Sequence, residues 1–123
     1  MKPAPFAYHA PNSLEQALGL MSQHAGEAKI LAGGQSLVPA MNFRILQPSV
    51  LIDLNRLPEL SYISEEDKVI RVGAMTRERH LEFDASLAKR TPLLTEALPF
   101  IAHPQIRNRG TIGGSLVNAD PAA

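Results

Sequence analysis

Apolar residues in this chain come in short runs broken by glycine, proline or charge, and their spacing alternates between helical and strand-like. Leu14, Ala17, Leu18, Met21 and Ala25 recur at helical intervals and predict one helix with a single apolar face. Ser13 followed by Gln16 fits the capping-box pattern at its start, and Gly26 is a natural stop. Residues 28–32 form an apolar run that ends at Gly33-Gly34, the pattern of a buried strand opening into a turn. In SLVPAMNFR, Ser36 is placed to cap a short helix, and Pro39 falls in the first turn, where amide hydrogens lack partners in any case. A second apolar run at 50–54 predicts another strand.

Further on, 57–60 reads as a turn, and 61–63 with 69–73 read as a hairpin whose polar tip is Glu65, Glu66, Asp67 and Lys68. Thr76 is expected to cap the charged segment RERHLEF, and Thr91-Pro92 is a helix-start signature ahead of LLTEAL. The stretch TIGGSLV, β-branched at its start, reads as a strand or strand end. Short strands alternating with helices and turns give an α+β fold class.

Composition narrows the functional classes. A chain of 123 residues is long enough for a domain with a real core. Twelve Lys and Arg balance twelve Asp and Glu, so no global field draws the protein to nucleic acid or to an anionic membrane, and any anion must be held locally. With no cysteine, disulfides, thiolate metal sites and iron–sulfur ligation by this chain are excluded. No stretch has the length of a membrane span and the opening residues contain no signal core, which makes a cytoplasmic setting the default expectation.

The glycine pairs are the candidate chemistry. LAGGQSLVP and RGTIGGSLVNADP each place two glycines after an apolar stretch and follow them with a serine. Glycine permits positive φ and lets a phosphate approach the main chain with no Cβ in the way, so such a turn can aim amides at an anion. Neither is the GxGxxG or GxxxxGK[ST] motif, and each pair on its own reads first as an ordinary tight turn joining two buried elements. His9, His24, His80 and His103 have no ligand-like spacing, so no metal site is expected. Ser36 and Ser115 lack the GxSxG elbow, and no catalytic residue is assigned. Arg107 and Arg109 read as surface charges or a structural ion pair ahead of a phosphate contact, and RERH reads as an exposed helical face. Asp120 fits either a ribose contact or a turn cap.

Taken together and in this order, KILAGGQSLVPAMNFRILQPSVLIDLNRLPEL and IAHPQIRNRGTIGGSLVNADPAA closely resemble the flavin-binding medium subunit of bacterial molybdenum hydroxylases, the carbon monoxide dehydrogenase and xanthine dehydrogenase family. The resemblance runs over the whole chain. It implies an FAD-binding fold of the vanillyl-alcohol-oxidase (PCMH) type, with a first small α+β subdomain over residues 1–55 and the start of a second over 56–123. By similarity Lys29, Ile30, Leu31, Ala32, Gly33, Gly34, Gln35, Ser36 and Leu37 line one wall of the cofactor site, with Ala32 to Ser36 on the pyrophosphate and Leu37 nearer the flavin ring. Thr111, Ile112, Gly113, Gly114 and Ser115 grip from the other side, Ile101 borders the adenine, and Asn118 and Asp120 match positions near the cofactor. The implied role is an oxidoreductase subunit that relays electrons from two-iron–two-sulfur clusters on a small subunit, fed by a molybdopterin-containing large subunit, through FAD to an outside acceptor. Family members run well beyond this length, so the chain is expected to be the N-terminal part of such a subunit. Two alternatives stay open: a truncated fragment that does not hold FAD alone, and another flavin oxidoreductase of the same fold.

Overall fold

The computed structural model describes residues 1–122. The chain separates into two compact units, Met1–Pro58 and Glu59–Ala123.

In the first unit, three strands form a parallel sheet in the order β1-β3-β2, from β1 (Ala7–His9), β2 (Ala28–Leu31) and β3 (Val50–Asp53). Val50 stands opposite both Ala7 and Ala28, and Ile52 opposite both His9 and Ile30. Parallel partners need crossovers, which are supplied by α1 (Leu14–Gln23) between β1 and β2, and by α2 (Leu37–Asn42) between β2 and β3. The central strand is the most buried: Val50, Leu51 and Ile52 are all inside. It therefore reads as a continuous apolar run, as strands covered on both faces do.

Helix α1 begins as the sequence predicts. The amide of Gln16 donates to Ser13 Oγ, while Gln16 Oε1 accepts from the amide of Asn12. The helix ends at Gln23, ahead of Gly26, which takes φ +84° in the turn that follows. Only Ala17 of its predicted apolar face is buried; Leu14 and Leu18 are exposed. Strand β1 lies in the opening residues, ahead of α1.

The second unit starts with an antiparallel hairpin, β4 (Ile63–Glu66) and β5 (Val69–Val72), turning on Asp67 and Lys68 with Asp67 at φ +50°. Glu65 and Glu66 therefore belong to a strand and not to the hairpin tip. Five short helices follow: α3 (Glu78–Glu82), α4 (Ala85–Arg90), α5 (Pro92–Ala97), α6 (Pro104–Arg107) and α7 (Ile112–Asn118). Leu81, Leu87 and Leu98 are fully buried, and Ile63, Ile70, Val72, Leu94, Ile101 and Ile112 pack on them. Pro92 opens α5 as its position after Thr91 predicts.

Three expectations are corrected here. TIGGSLV is helix: Thr111 Oγ1 accepts from the amide of Gly114, an N-cap that commits the following residues to α7 and overrides the β-branched start. Thr76 does not cap α3; its hydroxyl donates to the carbonyl of Tyr62 and accepts from the Tyr62 amide, tying the hairpin to the residues before α3. RERH is not wholly exposed, because Glu78 is buried.

Arg107 is also inside. Its guanidinium donates to both carboxylate oxygens of Glu82 and to the carbonyls of Pro99 and Ile101, and Arg79 adds a further bond to Glu82. Burial alone would raise the Glu82 carboxyl, but the two guanidiniums outweigh it and hold it below the ordinary glutamate range.

Gly113 shows how tightly α7 is seated. A Cβ there would stand 2.7 Å from both the Cβ and the carbonyl oxygen of Ala74. Alanine in place of glycine favours a helix by about 1 kcal/mol, whereas overpacking against backbone costs about 1–3 kcal/mol. The clash should win: Gly113→Ala at the protein's natural length is expected to lower the urea unfolding midpoint, and a raised midpoint would contradict this seating of α7.

Candidate cofactor-binding site

Because β1, β2 and β3 are parallel, they release the chain at the same edge of their sheet. His9, Leu31 and Asp53 stand at that edge. In open sheets with parallel strands this carboxyl edge is where ligands bind. Here β2 runs directly into Ala32-Gly33-Gly34-Gln35-Ser36, which leads into α2 at Leu37.

The loop is braced from below. Asn55 Nδ2 donates to the carbonyl of Ala32 at 2.9 Å and to Asp53 Oδ1, which also accepts from the Asn55 amide. The hydroxyl of Tyr8 donates to Asp53 Oδ2 at 2.5 Å. Strand β1 is thereby tied to the end of β3, and the end of β3 to the start of the glycine loop. Burial by itself would raise the Asp53 carboxyl, but the bonds from Tyr8 and Asn55, helped by the nearby Arg56 charge, hold it below the ordinary aspartate range. The bond to Asp53 is also the main reason the Tyr8 phenol is raised.

Within the loop, Gly34 takes φ +74°, and the amide of Val38 donates back to its carbonyl. Gln35 folds its side-chain amide onto the carbonyl of Gly33. Among the described residues, the amides of Gly33, Gly34, Gln35, Ser36 and Leu37 donate to no carbonyl of the chain. Ser36 sits at the N-cap of α2 but makes no capping bond with its side chain, so its hydroxyl stays available beside those amides. Five unengaged amides, a hydroxyl and a glycine without Cβ make a donor set that suits a diphosphate.

The second glycine pair is arranged differently. The amide of Ile112 donates to the carbonyl of Thr76, that of Gly113 to Ala74, that of Gly114 to Thr111 Oγ1, and that of Ser115 to the carbonyl of Thr111. Ser115 Oγ donates to Glu78 Oε1. These residues form the first turn of α7, and their amides serve the fold. Ile101 belongs to the same neighbourhood, since it and Ile112 pack on the same buried leucines. Asn118 ends α7, and Asp120 Oδ1 accepts from the amide of Ala122. Lys29, Ile30 and Leu31 lie in β2 itself, ahead of the loop.

Arg107 is engaged with Glu82 and two carbonyls, which makes it a structural ion pair and leaves no phosphate role for it. Sequence reasoning did not single out Tyr8, Asp53 and Asn55, which brace the loop after β2, or Glu78, which pairs with Ser115. Among the described residues no group of three or more His, Cys, Asp or Glu is placed to hold a metal ion, and no helix is long and apolar enough to cross a membrane.

Comparison with known proteins decides the family. Residues 4–123 match the FAD binding domain in molybdopterin dehydrogenase. The chain belongs to this family. It is 52% identical over 123 residues to the alpha subunit of the 6-hydroxypseudooxynicotine dehydrogenase complex of Paenarthrobacter nicotinovorans, covering all of this chain and 42% of that relative. It is 50% identical over 121 residues to the carbon monoxide dehydrogenase medium chain of Hydrogenophaga pseudoflava, again covering 42% of the relative. A solved structure of carbon monoxide dehydrogenase from the same organism superposes with a TM-score of 0.95 over 98% of this chain. Quinoline 2-oxidoreductase from Pseudomonas putida 86 does so with a TM-score of 0.95 over 100% of it, at 42% identity. The chain thus spans less than half the length of these relatives.

Two outcomes are expected from this geometry. Valine at Gly34 would carry a Cβ 3.1 Å from Leu31 Cδ1 and 3.2 Å from Val38 Cγ2, on a backbone with positive φ. That strain, about 1–3 kcal/mol, should cut FAD content sharply in Gly34→Val when bound flavin is measured by absorbance; unchanged flavin stoichiometry would contradict the loop's role. Asp53 has a lowered folded value, so its contribution to stability is full at neutral pH and fades as pH falls through the ordinary aspartate range. The difference in urea midpoint between the unsubstituted protein and Asp53→Asn should shrink on acidification, and a difference that does not change with pH would contradict the bracing network.

Proposed function

We propose that this chain is the N-terminal portion of the FAD-binding medium subunit of a molybdenum hydroxylase, and that the loop from Ala32 to Leu37 holds the FAD diphosphate. The observation that carries the reading is the row of unengaged amides from Gly33 to Leu37 at the carboxyl edge of a parallel sheet, in a chain of an FAD-binding family. By the family resemblance, Thr111 to Ser115 and Ile101 would also contact the cofactor.

In this role the chain's residues bind and orient. Gly33, Gly34, Gln35 and Ser36 donate to phosphate oxygens, and Leu37 lies nearer the ring. Tyr8, Asp53 and Asn55 keep the loop's starting carbonyl in place, so the amides meet the ligand already ordered. FAD when bound supplies the electron-transfer chemistry, which the protein positions and does not itself perform. No side chain of this chain is assigned as acid, base or nucleophile.

The partners in this reading are a molybdopterin-containing large subunit and a small subunit with two-iron–two-sulfur clusters. Electrons from those clusters reach an outside acceptor through the flavin. Support comes from the relatives, which are named as a medium chain and as a subunit of a dehydrogenase complex.

Purification of the protein at natural length from its native cells tests the proposal. The expected outcome is a yellow preparation with flavin absorbance, accompanied by one molybdenum-containing and one iron-containing polypeptide. A colourless protein that takes up no added FAD would overturn the reading.

A further inference from the structure

Strand β1 has three residues and lies at the edge of the parallel sheet, so few ladder bonds hold it and its side-chain contacts matter. Successive side chains of a strand point to opposite faces. His9, level with Ile52 and Ile30, therefore points to one face of the sheet, and Tyr8, level with Leu51 and Lys29, to the other. On its face Tyr8 donates to Asp53, which leads through Asn55 to the carbonyl of Ala32 at the start of the glycine loop. On the opposite face His9 meets His24, with ring centres 5.7 Å apart and planes inclined by 25°. His24 is the C-cap of α1, its amide donating to the carbonyl of Leu20. The ring pair thus ties β1 to the end of α1.

Histidine is the side chain whose ordinary titration falls between pH 5 and 8. Two neutral rings pack, and one imidazolium still packs on a neutral ring, but two imidazoliums 5.7 Å apart repel. The surroundings offer little to offset the second charge. The strand residues on the face of His9, namely Ala7, Ala28, Ile30, Val50 and Ile52, are apolar, while Lys29 and Asp53 belong to the face of Tyr8. Glu15, in the first turn of α1, is the one charged residue of that helix, and Glu27 follows the helix; both are exposed. Neither ring has an ion-pair partner among the described residues. An open groove beside His9, lined by Gln16, Gly19, Leu20 and Gln23 of α1, gives water access to the pair and adds no charge. Asp53, held below the ordinary aspartate range, and Tyr8, raised, keep their charge states across the histidine range.

We propose that His9 and His24 are positioning residues that form a proton-operated anchor for β1, and through Tyr8, Asp53 and Asn55 for the glycine loop, so that acidification loosens the loop's hold on the FAD diphosphate. Its effect on FAD rests on the cofactor assignment above. The direction follows from the charges: the anchor is intact at neutral pH and above, and is lost as pH falls through the histidine range.

The test titrates the natural-length apoprotein with FAD at about pH 7.5 and about pH 5.5, on either side of histidine's ordinary value. Amide exchange is read at the same two pH values as protection factors, which removes the intrinsic pH dependence of exchange. The unsubstituted protein should bind FAD about 2- to 5-fold more weakly at the lower pH, the range of one partly exposed pair of charges. The Ala7 amide, which donates to the carbonyl of Ser49 at 2.8 Å, should lose protection on the same acidification. His9→Gln and His24→Gln each leave a single titratable ring, so either alone should abolish both pH effects, and combining them should add nothing. A contact with a merely structural role would weaken binding equally at both pH values. An unchanged pH dependence in either single variant would overturn the proposal. So would Ala7 protection that stays the same at both pH values in the unsubstituted protein, even if a variant fails to fold. If the protein takes up no FAD while Ala7 loses protection in acid, the cofactor assignment falls and the anchor stands.

Discussion

Parallel pairing of β1 and β2 on β3 obliges all three strands to end at one edge, and the first candidate wall of the site follows from that requirement. The central strand is apolar because both of its faces are covered, and its last residue, Asp53, is where the apolar run gives way to hydrogen bonding. From that point Asp53 reaches Tyr8 on one side and Asn55 on the other, and Asn55 reaches Ala32. The glycine loop thus leaves the sheet from a braced start. Amides that find no partner inside the chain are costly only when shut away from both water and ligand, so a loop that keeps five of them unengaged suits a surface that meets an anion.

The two glycine pairs look alike in sequence and differ in hydrogen bonding. After β2 the chain turns through Gly34 at positive φ into a six-residue helix, and its amides stay outside the backbone ladder. Before α7, Thr111 supplies an N-cap, the carbonyls of Ala74 and Thr76 take the next two amides, and Gly113 seats the helix against Ala74. Glycine serves conformation in one place and close approach in the other. The same residue pair therefore leaves its amides unengaged in one place and bound into the fold in the other.

Much of the first unit was legible in the sequence, because its elements are set by local patterns: the Ser13 and Gln16 start of α1, the run entering Gly33-Gly34, and the apolar stretch at Val50. The second unit was less so. TIGGSLV reads as a strand by its β-branched start, yet one capping threonine decides for a helix. RERH reads as a solvated face, yet Glu78 is drawn inward by Ser115, 37 residues away. Tyr8, Asp53 and Asn55 carried no signal either, since Tyr8 and Asp53 are brought together across 45 residues only by strand pairing. The family resemblance reached beyond these limits because it rests on two motifs in order and not on local propensity.

Amide hydrogen exchange, read residue by residue with and without FAD on the protein at its natural length, tests the central claim most directly. The amides of Gly33 to Leu37 should exchange quickly in the apoprotein and become strongly protected when FAD is added, while those of Ile112 to Ser115 should be protected in both states. Protection gained chiefly at residues 112–115, with residues 33–37 unchanged, would contradict the account.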